Sequence, residues 1–132
     1  MYKYEKSCGA VIFKDDLVLL IENKRSLHWS FPKGHKEMDE TDVQTAIREV
    51  LEETNVKIKL YSNHYCVINY EPKPKVSKDV VYFLAEYDGG ELKAQDSEVT
   101  NIGWFTIEEA MNKITYQQEK EVLESLLNVK PF

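Results

Sequence analysis

The chain has 132 residues, 42% hydrophobic and 30% charged, a size that suits one domain over residues 1–132 with a core needing no disulfide or structural metal. A net charge of −6 argues against a broad basic grip on long nucleic acid. No apolar run reaches membrane-spanning length and Met1–Lys6 lacks an apolar signal region, so the expectation is a monomeric cytoplasmic protein acting on a small molecule, with no membrane partner.

In chain order, Ser7 to Phe13 is apolar and partly β-branched, Asp15-Asp16 marks a turn, and Leu17 to Glu22 resumes. A hairpin or two neighbouring strands are expected there. Asn23 to Gly34 reads as a loop, with Pro32 and Gly34 as breakers. Thr41 to Thr54 reads as a helix, and Lys57 to Asn69 as a strand or two. Glu71 to Asp79, with Pro72 and Pro74, reads as a polar loop before the strand Val80 to Glu86. Asp88-Gly89-Gly90 is a turn, and Ile102 to Phe105 a short strand. Thr106-Ile107-Glu108-Glu109 opens a short helix with a capping box. Tyr116 to Leu127 is a final amphipathic helix with Val122, Leu123, Leu126 and Leu127 on one side. Cys8 and Cys66 lie in strand-like stretches and read as free thiols in a reducing compartment. Strands on both sides of the first helix, and helices at the end, fit an α/β class: a mixed sheet with helices on its two faces.

The first helix carries an anomaly. Thr41 is a good N-cap with Gln44 as its capping-box partner, and Asn55 can end the helix in a left-handed conformation. Val43, Ala46, Ile47, Val50, Leu51 and Thr54 make one face apolar. Glu49, Glu52 and Glu53 fall at i, i+3 and i+4 and are expected to cluster opposite that face. Like charges at this spacing repel by roughly 0.2–0.5 kcal/mol per pair. They also sit at the helix end that is already negative. Such an arrangement is either a solvated acidic face or a cation site. Arg48 among the acids, with Glu40 and Gly34 just upstream, favours the cation. Hard oxygen ligands in a group of three suit Mg²⁺ or Mn²⁺, and Mg²⁺ commonly shares its shell with substrate phosphates.

Gly34, five residues, Glu40, seven residues, then Arg48-Glu49-Val50-Leu51-Glu52-Glu53-Thr54-Asn55-Val56 resembles the Nudix box. One position departs: Asn55 stands where that family has glycine, and asparagine is the next best residue for a left-handed helix end. The resemblance implies an α/β/α sandwich that hydrolyses a nucleoside diphosphate linked to another moiety. By position, Glu49, Glu52 and Glu53 would bind divalent metals, Arg48 would orient Glu49 and anchor the helix, and Glu40 would form a salt bridge within the box. A backbone carbonyl near Lys33 would complete the metal shell.

From Ser7 to Leu126 the chain is similar to one branch of that family, the asymmetric diadenosine tetraphosphate hydrolases. The similarity rests on His28-Trp29-Ser30-Phe31-Pro32-Lys33-Gly34-His35, on Asn69-Tyr70, on Val80 to Glu86, and on Glu98 six residues before Trp104. It implies that Glu98 is a further metal ligand or base. It implies that Tyr70 and Tyr116 hold an adenine between them, and that His28, Lys33, His35 and a lysine near Lys78 face the polyphosphate. Lys73, Lys75 and Lys78 cannot be told apart at this level. Two or three Mg²⁺ ions on Glu49, Glu52, Glu53 and Glu98 would bridge the polyphosphate, with Glu53 or Glu98 helping to deprotonate the attacking water. ATP and AMP would be the products from diadenosine tetraphosphate. The alternatives are other specificities of the same box, a house-cleaning dNTP hydrolase or an RNA 5′-pyrophosphohydrolase, and a silent nucleotide-binding module.

Overall fold

Alternation of side chains along a strand sends neighbours to opposite faces of a sheet. In strand β1 (Lys3–Lys14) both faces are apolar, so this strand is covered on both sides. The computed structural model describes all residues from Met1 to Phe132 and places β1 at the centre. The chain continues through β2 (Leu17–Asn23), β3 (Trp29–Ser30), β4 (Lys33–His35), α1 (Asp42–Thr54), β5 (Ile58–Lys73), β6 (Val76–Tyr87), β7 (Val99–Thr106), α2 (Ile107–Lys113) and α3 (Gln117–Val129).

β1 pairs in parallel with β6 from Lys3/Val76 to Phe13/Glu86, and β6 pairs antiparallel with β5. The expected hairpin between β1 and β2 forms, but only through Phe13/Val18 and Lys14/Leu17. Beyond those pairs the two strands separate. β4 joins β1 through Cys8/Gly34 and its neighbours, and β3 joins β2 through Ile21/Ser30 and Glu22/Trp29. β7 takes the other edge of β2. The mixed sheet therefore opens in its middle, and residues 29–35 line the opening.

Helix α1 covers one face. Ala46 and Val50 pack with Cys8, Ala10, Ile12, Val81, Phe83 and Ala85. Helices α2 and α3 cover the other, where Ala110, Ile114, Val122, Leu123 and Leu126 meet Val11, Phe13, Tyr82 and Leu84. This is the expected mixed sheet flanked by helices, a three-layer α/β/α arrangement. Each fully buried aliphatic side chain contributes about 1.5–3 kcal/mol relative to exposure. Both cysteines are free thiols, Cys8 buried and Cys66 partly so. No helix is long and apolar enough to cross a membrane.

Two loop expectations are corrected. The stretch Asn23 to Gly34 is not all loop: it supplies β3 and part of β4, and Gly34 lies within a strand rather than at a turn. The stretch Glu71 to Asp79 is not a loop either. Strands β5 and β6 run through it to a tight turn at Pro74-Lys75, with Lys73 opposite Val76 and Lys75 at φ 63. Proline fits there because a turn position needs no ladder N–H, and buried Val76 extends the strand. The stretch from Lys57 is one long strand with a register shift between Tyr61 and Tyr65.

Candidate active-site cleft

Helix α1 begins as its sequence dictates. The Thr41 hydroxyl accepts from Gln44 N–H at 3.1 Å, and the Gln44 side chain accepts from Thr41 N–H at 2.9 Å. It ends at Asn55, left-handed at φ 64, whose side-chain amide donates to the Glu91 carbonyl at 2.9 Å. Asparagine thus performs the glycine's conformational task and adds a tie to the next loop.

The faces of α1 differ from the simple expectation. Ile47 and Leu51 are 42% and 44% exposed, whereas Glu53 is only 7% exposed. The reason is helical spacing: Ala46, Glu49, Val50 and Glu53 fall at i, i+3, i+4 and i+7 and share one stripe. The glutamates are therefore not a uniform solvated face opposite the apolar one. Glu53 is buried, Glu49 is largely covered, and Glu52 is exposed. Apolar residues outside and an acid inside is the pattern of a site, not of a scaffold.

Arg48 organises the acids. Its Nε donates to Glu40 Oε2 at 2.6 Å and its Nη2 to Glu40 Oε1 at 2.9 Å, a two-pronged pair. Nη1 donates to Glu49 Oε1 at 2.8 Å and to Glu52 Oε2 at 3.2 Å. Nη2 also reaches the His35 carbonyl at 3.0 Å, tying α1 to β4. These bonds hold the Glu40 carboxyl at about 2 and keep Arg48 protonated. Glu40 accepts two further bonds, from Thr45 Oγ1 and from Glu37 N–H.

Glu49 lies against Gly34, where any Cβ would overlap its carboxylate. Glycine at 34 is thus a matter of close approach, not of turn geometry. Burial pushes the Glu49 carboxyl up, against the pull of Arg48. Glu53 Oε1 accepts the Lys33 N–H at 2.8 Å. Burial raises its carboxyl to about 8, and the charges of Glu49 and Glu98 add to the rise. Glu98 is brought near by the segment after β6: Lys93 and Gln95 donate their N–H groups to the carbonyls of Thr54 and Glu53 at the end of α1. No three acidic or imidazole groups stand together as a ready-made metal cage, and Arg48 holds one oxygen each of Glu49 and Glu52. The donor set nevertheless fits a hard divalent cation: Glu53 is a buried carboxylate pressed by two other acids, with one backbone N–H on its side chain.

A cleft of about 800 Å³ joins these carboxylates to the other candidate residues. That volume suits a ligand of nucleotide size. Glu49, Glu52, Glu53 and Glu98 line one part of it, together with Gly34 and His35. Lys33 and Lys78 line it too, and Lys78 has its ammonium pKa lowered by burial and by the Lys33 charge. Lys78 stands opposite Tyr70 in the β5–β6 register, while Lys73 and Lys75 lie outside the lining. Tyr70 and Tyr116 line the remaining part with His28. Burial pushes the Tyr70 phenol up. The Tyr116 hydroxyl and His28 Nδ1 are 2.9 Å apart, with the rings edge-to-face at 4.8 Å. His28, expected to face the polyphosphate, stands beside Tyr116 in the same cleft as Lys33 and Lys78. Glu40 and Arg48 stand behind the lining as supports. Sequence reasoning missed Glu119, which also lines the cleft; its signal was an acid on the apolar stripe of α3.

The family model for the NUDIX domain matches residues 3–126. An asymmetrical bis(5′-nucleosyl)-tetraphosphatase from Sus scrofa is 30% identical over 134 residues, covering 90% of this chain and 90% of that protein. A Mycobacterium tuberculosis protein described as the mutator MutT4 is 34% identical over 113 residues, 82% of this chain, and the chain spans 44% of its length. Among solved structures, a C. elegans Ap4A hydrolase binary complex superposes with a TM-score of 0.87 at 28% identity, covering 95% of this chain and 96% of that one.

Proposed function

The chain belongs to the NUDIX family of hydrolases, and on that premise we propose that it cuts a pyrophosphate bond in diadenosine tetraphosphate, giving ATP and AMP. The observation that carries this reading is the single cleft that Glu49, Glu52, Glu53 and Glu98 line together with Lys33, Lys78, Tyr70 and Tyr116. A dinucleoside polyphosphate has the matching chemistry: a phosphate chain that needs cations and a base that needs aromatic faces. The tetraphosphatase and Ap4A hydrolase relatives support it, since each covers most of both chains.

Divalent cations held by Glu49, Glu52, Glu53 and Glu98, with the Lys33 carbonyl, would supply charge neutralisation and lower the pKa of the attacking water. Arg48 and Glu40 fix the direction of Glu49, so the carboxylate geometry is set before substrate arrives. Lys33, Lys78 and His35 offset the phosphate charge. Tyr70 and Tyr116 take the base by stacking, worth about 1–3 kcal/mol per base, with His28 buttressing Tyr116. Water attacks phosphorus in line, the bridging P–O bond breaks, and Glu53 or Glu98 takes the water proton.

The test is a product analysis of the purified protein with Mg²⁺ against diadenosine polyphosphates, dNTPs, and capped or triphosphorylated RNA. ATP plus AMP from diadenosine tetraphosphate, at the highest kcat/KM of the set, is the expected result. Faster release of pyrophosphate from a dNTP would replace this reading with nucleotide house-cleaning. No turnover of any substrate would leave a binding module.

A further inference from the structure

Glu119 interrupts the apolar stripe of α3. It precedes Val122, Leu123 and Leu126 by three, four and seven residues, and those three are core residues. Only 4% of it is exposed, yet no lysine, arginine or histidine pairs with it. A carboxylate buried without a counter-ion is costly unless donors satisfy it. Two hydroxyls do so, and both choose the same oxygen. Tyr82 Oη donates to Oε2 at 2.5 Å, and Ser30 Oγ donates to Oε2 as well. Oε1 receives no donor from the protein and is not sealed off from the cleft that Glu119 lines.

The surroundings of that oxygen are the tyrosine end of the cleft. Tyr116 is one turn earlier, and its carbonyl accepts the Glu119 N–H at 3.1 Å. Tyr70 is close enough to feel the Glu119 charge. Ser30 lies between His28 and Lys33 in the chain, and its hydroxyl anchors Glu119 from β3. A tertiary clamp of this kind, built from β3, β6 and α3, holds one oxygen and leaves the other free.

We propose that Glu119 is the base-specificity residue of the cleft, its free Oε1 accepting a hydrogen bond from the exocyclic amine of a purine stacked at Tyr70 and Tyr116. A carboxylate can only accept, so it attracts an amine edge and repels a carbonyl edge. A site with a buried acceptor rejects an analogue that lacks the donor, because the acceptor is then left unpaired. Adenine carries its amine at C6 and guanine at C2. Hypoxanthine has a carbonyl at C6 and no exocyclic amine, and the N1–H that remains on its edge is shared with guanine, so the guanosine–inosine pair isolates the amine.

The inference rests on the tyrosine end being the base site, as proposed above, but not on diadenosine tetraphosphate being the substrate. The experiment measures kcat/KM for matched adenosine, guanosine and inosine substrates, as dinucleoside tetraphosphates and as nucleoside triphosphates. Which scaffold is cut faster tests the proposed function; the ratio between bases tests Glu119. Binding of ATP, GTP and ITP by calorimetry in EDTA gives the same ratio without turnover. The better of the two amine-bearing bases should exceed inosine by about tenfold or more, and which one wins identifies the C6 or the C2 edge. In Glu119→Gln the two hydroxyls hold the amide oxygen, so the amide NH₂ faces the base and the ratio falls to one or reverses. Equal treatment of all three bases by the wild type overturns the proposal. So does an unchanged ratio in a Glu119→Gln protein that melts normally. If that variant does not fold, Glu119→Asp, which keeps the charge but draws it back, must lower the ratio several-fold; an unchanged ratio again overturns it.

Discussion

The two ends of the cleft are built in opposite ways. At the carboxylate end nearly every contact lies within residues 33–53, and one guanidinium joins Glu40, Glu49, Glu52 and the His35 carbonyl. At the tyrosine end Tyr70 comes from β5, Tyr116 from the residue before α3, His28 from the residue before β3, and Glu119 from α3. The first end handles concentrated charge, and carboxylates around a cation must be held in narrow geometry. The second end, on the proposed function, takes a flat base, which tolerates a few separately supported contacts. The residues of the first end are therefore compact in sequence and those of the second are dispersed.

The largest expected effect lies at the carboxylate end. Glu53→Gln should lower kcat by about 10²–10⁴-fold if Glu53 moves the water proton or holds the cation, as steady-state assays would reveal; a folded variant at full rate would remove Glu53 from the mechanism. The same change should raise the melting temperature of metal-free protein at neutral pH. The sign follows from burial. The folded carboxyl binds its proton up to about 8, against an ordinary value near 4.5, so its contribution to stability is complete below 4.5 and fades as pH rises through 8. Calorimetry in EDTA across that window should show the wild type losing stability relative to the variant, and Mg²⁺ should reverse the loss.

Arg48→Lys comes next. One ammonium cannot grip Glu40 with two prongs and still reach Glu49, Glu52 and the His35 carbonyl. Activity should fall about 10–100-fold, with a higher Mg²⁺ requirement seen in metal titrations. An unchanged Mg²⁺ requirement would mean that Glu49 orients itself without help.

At the other end the effects should be smaller and of a different kind. Tyr70→Ala and Tyr116→Ala should each raise KM by the equivalent of about 1–3 kcal/mol while largely preserving kcat. A fall in kcat with KM unchanged would break the division between the two ends. The smallest effect is expected at Asn55→Ala, where a left-handed residue without a stabilising side chain costs about 1–2 kcal/mol. Thermal melts should show the loss, and Asn55→Gly should recover most of it.

Much of this was readable from local spacing. The capping box at Thr41, the left-handed stop at Asn55, the seven-residue gap between Glu40 and Arg48, and the positions of Glu49, Glu52 and Glu53 follow from helical period and short-range sterics, which need no knowledge of the rest of the chain. The opened sheet was not readable, because a two-residue strand such as Trp29–Ser30 has no periodicity to detect. The polar stretch at Glu71 to Asp79 misled for a similar reason: strands near a hairpin tip are polar, and composition cannot distinguish them from a loop.

By itself, then, the sequence determined which side chains share a helix and at what intervals, since a turn of helix is a local event. Only the tertiary structure decided which of those glutamates is buried. Glu53 rather than Glu52 meets the sheet because the stripe it shares with Ala46 and Val50 packs on the sheet, and β4, with Gly34 against Glu49, offers the Lys33 N–H there. It decided that Lys78, not Lys73 or Lys75, enters the cleft, because strand alternation beyond the Pro74 turn turns it inward. It also decided that Glu119 keeps one oxygen free, since Tyr82 and Ser30 reach the same carboxylate from strands far away in the chain. Burial and partner choice are set by what packs across a gap, and no interval along one chain encodes that.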